Sequence, residues 1–456
     1  MQEKSDGLKA FDLFDHRPAH PSSKNKKVEK RKVKTMTDHT KERSMLEHPS
    51  RRSFLGIGSV ALATAAFAGL SANAQEKAST QKAEHDHSSS DPGPENKPLL
   101  AENPDSNTPP PTDHGDVVPV WYSFDLVKKR VEEGGWTHEV TQRVLPSSGD
   151  IAGVQMRLTA GSYREMHWHT ADEWAYVLYG NARVTVMQPD GNMFIGDVGE
   201  GDLWIFPAGH PHSIQGLGPD GTEFLLVFNQ GMFSEDGTML LSEWVAHTPP
   251  EVLAKNTGLD QSVFDHTPGA PLYIFPGNLP TNSVTQDKAE IGGEQVAAKH
   301  QYTFRLRSMQ PTSSNEAGEV RIVDSRNFPV SKHVVGALLI IKPGHMRELH
   351  WHPNASEWQY YISGKARMTV FFPVDNARTM DFNTNDVGYV PSNAPHYIEN
   401  TGDTDLVALE LFASDQFEDV SLNQWLRRVP SEMLKAHLNI DKQMATKIPA
   451  EKLYLV

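Results

Sequence analysis

Two histidines and a glutamate recur with nearly the same spacing at two places in the chain, and this pattern favours metal binding. The first set lies in GSYREMHWHTADEWAYVLYG, residues 161–180, and the second in GHMRELHWHPNASEWQYYISG, residues 344–364. Successive side chains of a β-strand point to opposite faces, so each His-x-His pair directs both imidazoles to one side. A strand that turns back after the pair brings the glutamate to the same centre. The sequence therefore predicts two metal sites, with ligands His167, His169 and Glu173, and His350, His352 and Glu357.

Two further histidines offer a fourth ligand to each site, because His212 and His396 each follow a proline by five residues. Three imidazoles and one carboxylate leave open positions on a six-coordinate ion, as a catalytic site requires. A single His-x-His pair would fit ordinary histidines at strand ends equally well. The four ligand types recur in the same order, at an offset of 183 residues for His167 and His350 and of 184 for His212 and His396. This recurrence favours the metal interpretation.

The composition limits the functions that the chain can have. A chain of 456 residues with 38% hydrophobic content can bury two sizeable cores. The absence of cysteine excludes disulfides, zinc-thiolate sites and a cysteine nucleophile. The formal net charge of −15, with the basic excess confined to the first 74 residues, argues against a nucleic-acid partner. A small anionic substrate still fits if arginines line its pocket.

The N-terminal part of the sequence resembles an export signal. Residues 1–74 contain a polar, lysine-rich extension, then the motif SRRSFL, a mildly apolar Ala/Gly-rich run and the terminal sequence ANA. Paired arginines and an Ala-x-Ala cleavage site predict a twin-arginine signal peptide, and thus a periplasmic or secreted protein. The alternative is a transmembrane anchor, which the many small residues disfavour. Residues 75–115 are rich in Pro, Ser and acidic residues, which predicts a disordered linker.

A repeat longer than the metal motifs defines the folded region. Residues 122–126 match 302–306, and residues 244–253, near the end of the first copy, match 425–434. Short strands with Gly, Pro and Asp turns predict an all-β fold of two tandem jelly-roll barrels that end in short helices. We place the domains at 116–294 and 295–456. The connection at 255–294 contains Leu-Tyr-Ile-Phe, so we expect it to pack against the barrels.

The two histidine motifs resemble those of the cupin superfamily, with Gly216 and Asn385 as departures from its second motif. More narrowly, GGWTHEVT, RELHWH, EWQYYISGKARMTVF and DVSLNQWL make residues 117–456 similar to bicupin oxalate decarboxylases. The resemblance implies two manganese ions per chain, dioxygen as a cofactor and oxalate as the substrate, which is converted to formate and carbon dioxide. It also implies a homo-oligomer, a trimer or a hexamer.

The same resemblance assigns roles to four further residues. Arg164 and its counterpart Arg347 would hold the substrate, although either could instead form a surface ion pair. Glu235, in Ser-Glu-Asp-Gly-Thr at 234–238, would be the proton donor on a mobile lid, where the residues alone indicate an ordinary turn. The second copy reads Ala-Ser-Asp-Gln-Phe at 413–417, with no lid glutamate, and Glu410 lies near its metal by analogy. We therefore expect the N-terminal barrel to be the main catalytic site.

Two alternatives for function remain. An oxalate oxidase would use the same metal ligands and release hydrogen peroxide, and a non-catalytic metal-binding bicupin would tend to lose ligands in one barrel. Trp168 and Trp351, between the paired histidines, either pass oxidising equivalents between sites across a subunit boundary or simply pack in the core.

Overall fold

The computed structural model describes residues 94–456 of the chain. The predicted signal peptide and residues 75–93 of the predicted linker lie outside the described residues. Within 94–456, no helix is long and apolar enough to cross a membrane.

Strands dominate the described part of the chain. The strands up to the middle of the chain are β1 (Trp121–Ser123), β2 (Arg130–Glu132), β3 (Gly135–Val140), β4 (Ala152–Leu158), β5 (Tyr163–Trp168), β6 (Glu173–Met187), β7 (Met193–Gly199), β8 (Leu203–Phe206), β9 (His212–Gly216), β10 (Thr222–Phe228), β11 (Met239–Leu240), β12 (Ile274–Phe275) and β13 (Thr303–Phe304). The remaining strands are β14 (Ser313–Asn315), β15 (Gly318–Val323), β16 (Val335–Ile341), β17 (Met346–Trp351), β18 (Glu357–Ser363), β19 (Ala366–Phe372), β20 (Asn376–Phe382), β21 (Asp386–Val390), β22 (His396–Asn400), β23 (Leu406–Phe412) and β24 (Val420–Ser421).

The helices are short and lie outside the sheets. They are α1 (Lys97–Glu102), α2 (Leu241–Ala246), α3 (Pro250–Thr257), α4 (Val284–Glu290), α5 (Leu422–Arg428), α6 (Ser431–Leu438) and α7 (Lys442–Ala445). Short 3-10 turns occupy Pro104–Ser106, Phe124–Leu126, Glu235–Gly237, Gln261–His266 and Gly293–Val296.

Both halves of the repeat fold into antiparallel barrels of the same strand order. In the first, β6 is long enough to belong to two sheets: its beginning pairs with β8 and β10, and its end pairs with β7 and β9. In the second, the orders are β1-β21-β18-β23-β16-β15-β14 and β20-β19-β22-β17-β24. Strands such as β10 and β23 are apolar almost throughout because both faces of their sheets are covered. The predicted pair of barrels with short helices is confirmed.

The two barrels exchange their first strands across the predicted boundary between 116–294 and 295–456. β1 precedes the first barrel in sequence but pairs with β21 of the second. β13 precedes the second barrel and pairs with β8 of the first. Hydrophobic patterning predicts a strand but not which edge it joins, and each barrel offers an unpaired edge to the strand that arrives from the other.

The predicted disordered linker is wrong for residues 94–115, which are ordered against the second barrel. This segment, called the arm below, contains α1, and Asp105 at its middle is buried. The backbone amide of Asp105 donates to Asp381, and the side chain of Asp113 accepts from the amide and hydroxyl of Thr379. A segment rich in Pro and Asp can therefore be ordered by pairing with an edge strand, here β20, although it forms no core of its own.

The connection between the barrels packs against the first barrel, as predicted. Its strand β12 pairs with β5 opposite Tyr163 and Arg164. The preceding residue, Tyr273, is buried and adopts a left-handed backbone conformation, with φ of 53°. This turn directs the tyrosine ring into the barrel.

Candidate metal centres and catalytic pocket

The first cluster of possible metal ligands lies inside the N-terminal barrel. β5 and β9 pair with His167 opposite His212, His169 follows the end of β5, and Glu173 begins β6. All four side chains are buried, and one ligand atom from each lies within 4.8 Å of the others. The structure therefore brings together the four residues that the sequence predicts for the first site.

The second cluster repeats this arrangement in the C-terminal barrel. His350 lies opposite His396 in the pairing of β17 and β22. Oε2 of Glu357 lies 2.9 Å from Nε2 of both His352 and His396, and the four ligand atoms again lie within 4.8 Å of one another. The extra residue in the second motif lengthens the turn between β17 and β18 and leaves the cluster intact.

Backbone carbonyls determine which ring nitrogen of each histidine faces the centre. Nδ1 of His169 lies 2.8 Å from the carbonyl oxygen of Ala171, and Nδ1 of His212 lies 2.7 Å from that of His210. A carbonyl oxygen only accepts, so Nδ1 carries the proton and Nε2 presents its lone pair to the centre. The same type of contact orients His167, His350, His352 and His396.

These converging lone pairs fit a bound cation. Nε2 of His169 lies 3.2 Å from the Glu173 carboxylate, and Nε2 of His212 has no hydrogen-bond partner among the described residues. Burial, and then the charge of Arg164, holds the pKa of His167 well below its ordinary value, so this imidazole stays neutral. A divalent ion would satisfy these groups. The ligand set accommodates manganese but does not select it, because imidazole donors also suit zinc, copper, iron and nickel.

Arg164, Glu235 and Tyr273 form a buried network beside the first cluster. Nη2 of Arg164 donates to Oε2 of Glu235 at 2.9 Å, and the Tyr273 hydroxyl donates to the same oxygen at 2.9 Å. Burial, and then the charge of Glu235, raises the pKa of Tyr273, so the tyrosine remains a protonated donor. Arg164 is 1% exposed. The arginine is therefore an internal anion-binding group, not part of a surface ion pair.

The lid segment Ser234–Thr238 is closed over this network. Glu235 begins a 3-10 turn, and its backbone amide donates to the carboxylate of Glu139. Before it, Phe233 stacks on Phe228 and places its edge against the ring of His169. These rings cover the metal ligands on the side of the lid. A closed lid of this kind limits the access of water to the site beneath it.

A cavity of about 160 Å³ lies outside the closed lid and is lined by Lys128, Arg130, Thr137, His138, Glu139, Ser234, Glu235, Asp236 and Tyr273. The Arg130 guanidinium lies 3.6 Å above the Tyr273 ring and pairs with Asp236 of the lid at 3.4 Å. The lining combines two cationic side chains, Lys128 and Arg130, with the carboxylates of Glu139, Glu235 and Asp236.

The second barrel contains the counterpart arginine but surrounds it with more carboxylates. Arg347 is fully buried, with Nη2 2.6 Å from Asp419 and Nε 3.4 Å from Glu410. Glu410 is also fully buried, and burial, with the nearby charge of Glu357, raises its pKa well above its ordinary value. The structure thus places Glu410 beside the predicted arginine.

The comparison of the two lids at 413–417 is misplaced. Met239 and Leu240 pair with Trp168 and His167, and residues 420 and 421 pair with the matching residues of the second barrel. These pairings place both loops at the same edge of their barrels, and the offset of 184 residues that relates His212 to His396 makes Asp419, not residues 413–417, the counterpart of Glu235. Each of the two acids accepts from Nη2 of the arginine of its barrel. The second barrel therefore has an acid at the lid position, and its loop is three residues shorter only after this acid.

Tyr273 and Asp419 are the site residues that the sequence interpretation missed. A signal for the tyrosine existed: Leu-Tyr-Ile-Phe at 272–275 repeats as Leu-Tyr-Leu-Val at 453–456. Both tyrosines, 273 and 454, have positive φ. Each backbone carbonyl accepts a hydrogen bond from the arginine of its barrel at 3.4 Å.

The two tryptophans of the His-Trp-His motifs, Trp168 and Trp351, are half-buried. Trp168 meets Trp244 edge to face at 5.6 Å between ring centroids, and Trp351 meets Trp425 at 5.7 Å. Trp244 is 62% exposed and Trp425 is 57% exposed.

Comparisons with known proteins agree with this architecture. The Cupin family model matches residues 126–264 and 304–446. The oxalate decarboxylase OxdC of Bacillus subtilis is 51% identical over 351 residues, which cover 77% of this chain and 90% of that protein. A probable oxalate decarboxylase of Arthroderma benhamiae is 42% identical over 350 residues, covering 76% and 85%.

Solved structures give the same result. A structure of Bacillus subtilis oxalate decarboxylase, described for its Mn(II) centres, has a TM-score of 0.77 at 49% identity and covers 80% of this chain and 95% of that chain. Another, at pH 4.6, has a TM-score of 0.77 at 50% identity, covering 80% and 94%.

Two barrels, each with three histidines and one glutamate around a common centre, define a bicupin metalloprotein. The chain belongs to the cupin family and, within it, to the bicupin oxalate decarboxylases.

Proposed function

We propose that the protein converts oxalate to formate and carbon dioxide, with manganese in both barrels and dioxygen as a cofactor. The observation that carries this proposal is the closed network of Arg164, Glu235 and Tyr273 beside a complete ligand cluster. It combines an anion-binding group with a proton donor in one buried pocket. The relatives named above support the substrate.

The two ligand clusters would hold manganese, which together with dioxygen would supply the one-electron oxidation that weakens the C–C bond of oxalate. The ligands would be His167, His169, Glu173 and His212 in the first barrel, and His350, His352, Glu357 and His396 in the second.

Arg164 binds and polarises the substrate. Its guanidinium is buried and already pairs with one carboxylate, so it can pair with a carboxylate of oxalate in the same low-dielectric space. Two carboxylates beside one arginine cannot both keep a full negative charge at low cost. Oxalate therefore takes the place of Glu235 on this arginine nitrogen as the lid swings outward.

Glu235 delivers the proton that makes formate. Oxalate dianion and one proton together give formate and carbon dioxide, with no net change in electrons. Tyr273 orients the Glu235 carboxyl group through its hydrogen bond, and the stacked rings of Phe228 and Phe233 exclude bulk water. Without this proton, the remaining one-carbon fragment would give another electron to dioxygen and leave as carbon dioxide, with hydrogen peroxide as the other product, as in an oxalate oxidase.

The test is Glu235→Gln, which keeps the shape of the side chain and removes its acid. Formate production should fall by about 10² to 10⁴, peroxide should become a larger share of the products, and manganese content should stay unchanged. The control is Asp236→Asn on the same lid, whose side chain is 87% exposed and should keep formate output near wild type. Near wild-type formate output from Glu235→Gln would reject the first barrel as the catalytic site.

We propose that the protein acts as a homo-oligomer, either a trimer or a hexamer. Large apolar side chains are exposed together on the helices that follow each barrel: Trp244, Val252, Trp425, Met433 and Leu438 are 48–62% exposed. Trp168 and Trp351 would then meet a second copy through their partner tryptophans and could pass oxidising equivalents between sites. Light scattering should give three or six times the mass of one chain.

We propose export by the twin-arginine route, supported by SRRSFL and the following Ala-x-Ala sequence. The mature chain should begin near Gln75. Replacing Arg51 and Arg52 by lysine should leave precursor in the cytoplasm, and normal export of that variant would contradict the proposal.

A further inference from the structure

The two barrels place a carboxylate on their buried arginines in the same way. Glu235 follows His212 by 23 residues, and Asp419 follows His396 by 23 residues. Each acid accepts from Nη2 of its arginine, at 2.9 Å for Arg164 and at 2.6 Å in the second barrel. Both acids thus occupy the arginine nitrogen that a substrate carboxylate would use.

The two acids differ in how freely they can move away from their arginines. Glu235 is followed by Asp236, Gly237 and Thr238 before β11 begins. Asp419 is followed directly by β24, whose residues pair with β17. The first acid therefore belongs to a loop that can swing outward, whereas the second is held at the end of a paired strand.

Lys452 provides a second contact that holds Asp419 in place. Its Nζ donates to the backbone carbonyl of Asp419 at 3.0 Å and also to its carboxylate. In the first barrel the corresponding residue, immediately before the Leu-Tyr pair, is Pro271, which carries no charge. The lysine is therefore specific to the second barrel.

Asp419 also separates Arg347 from solvent. A cavity of about 650 Å³ opens on this side of the second barrel and is lined by Thr312, Ile322, Asp324, Arg326, Asn327, Pro353, Phe417, Glu418, Asp419, Val420, Lys452 and Tyr454. Arg347 is not part of this lining and is fully buried. A small anion has room to reach Asp419 but must displace it to reach the arginine.

We infer that Asp419, fixed by Lys452, occupies the substrate position on Arg347 and keeps oxalate out of the second barrel, which binds metal without binding substrate. The inference rests on the proposed function for the identity of the anion. Displacing Asp419 would leave its charge and that of Lys452 uncompensated in a mostly buried place, which oxalate binding has to overcome. Asp419 thus takes the place of a substrate carboxylate, and Lys452 holds it there.

The test is oxalate binding by calorimetry in the absence of oxygen, with manganese-loaded full-length protein. Wild type should bind one oxalate per chain, and Arg164→Ala should bind none. Adding Asp419→Asn and Lys452→Met to Arg164→Ala should restore one oxalate per chain. The control combines Arg164→Ala with Lys442→Met, at an exposed lysine, and this double variant should bind no oxalate.

A second variant allows the same test if the triple variant does not fold. Lys452→Met with Arg164→Ala removes only the outer contact of Asp419, at a residue near the cavity rim, and should give weak but measurable oxalate binding. Failure of both variants to bind oxalate, with two manganese ions per chain still present, would overturn the inference. Oxalate binding by Arg164→Ala alone would also overturn it. If wild type itself binds no oxalate, the proposed function fails instead.

Discussion

Tyr273 links the acid and the arginine of the first barrel through one residue. Its hydroxyl donates to Glu235, its backbone carbonyl accepts from Arg164, and its ring lies 4.2 Å from the Arg164 guanidinium. The left-handed backbone of Tyr273 makes these contacts possible at once, because it turns the ring inward while the following strand pairs with β5. The tyrosine therefore positions the proton donor without itself contacting the reacting carbon.

Tyr273→Phe should reduce formate production about tenfold, because loss of a hydrogen bond to a charged group costs about 1.5–3 kcal/mol and part of this loss is recovered by Arg164. Manganese content should not change, and the share of peroxide should rise because Glu235 is less well placed. The matched control is Tyr454→Phe in the second barrel, which should keep wild-type formate output. Equal losses in both variants would contradict the positioning role.

His167→Ala should lower manganese from two ions per chain to one and abolish formate production. The removed imidazole is one of only three in its cluster, and its Nε2 has no substitute among the described residues. His350→Ala should also lower manganese to one ion per chain but should retain formate production. Elemental analysis and a formate assay on both variants check this pair of outcomes, and stoichiometric zinc in active enzyme would contradict the manganese assignment.

The metal ligands could be predicted from the sequence because strand periodicity and an internal repeat act on the same residues. Tyr273 and Asp419 could not be predicted in the same way. Tyr273 reaches the site from a separate connection. Asp419 differs in residue type from Glu235, and the part of its loop that follows the acid is three residues shorter. Contacts between segments that are distant in the sequence produce no periodic pattern of residues from which they could be predicted.

At the scale of elements, the edges of the barrels are covered by segments that belong to the other half of the sequence. β1 and β13 are exchanged, and the arm then runs along β20, where His114 pairs with Ala377. These segments protect edge strands that would otherwise pair with another chain. Strand patterns predicted the elements, but the exchange depends on the geometry of the two barrels together.

The arm should dock more tightly at acidic than at neutral pH. Burial, and then the contact with Asp381, raises the pKa of Asp105 from 3.8 to about 7, while Arg378 acts in the opposite direction. Asp381 itself pairs with Arg367 and keeps its charge. Because the docked arm holds a proton that the free arm releases, docking is fully favourable below about pH 4 and weakens as pH rises through about 7.

Amide hydrogen exchange in residues 99–107 measures this docking. Exchange should be slower at pH 5 than at pH 8, after correction for the intrinsic rate. Asp105→Asn should remove the pH dependence, whereas Glu102→Gln, at an exposed position of the same arm, should keep it. A wild-type arm with equal protection at both pH values would contradict the prediction.

At the scale of the whole molecule, the two barrels share one apolar interface. Trp358 from β18 crosses to β4, and Trp174 from β6 crosses to Gly336 in β16, so the contact is nearly symmetric. Both indoles are fully buried. The repeat in the sequence predicted two barrels, but the glycines that let them approach carry no signal that distinguishes them from turn glycines.

Gly153→Ala should destabilise the protein by about 1–3 kcal/mol, as expected for an extra methyl group in a well-packed core. A Cβ at this position would lie 2.4 Å from Cζ2 of Trp358, so the indole or a strand has to shift. The control is Gly269→Ala, where no atom of the described chain lies within 4 Å of the new Cβ, and its unfolding midpoint should match wild type. Trp358 directly follows the metal ligand Glu357 in the sequence. A displaced Trp358 in Gly153→Ala should therefore also weaken manganese binding, and more in the second barrel than in the first. Thermal unfolding and elemental analysis measure the two effects, and an unchanged midpoint would show that the barrels do not depend on this close contact.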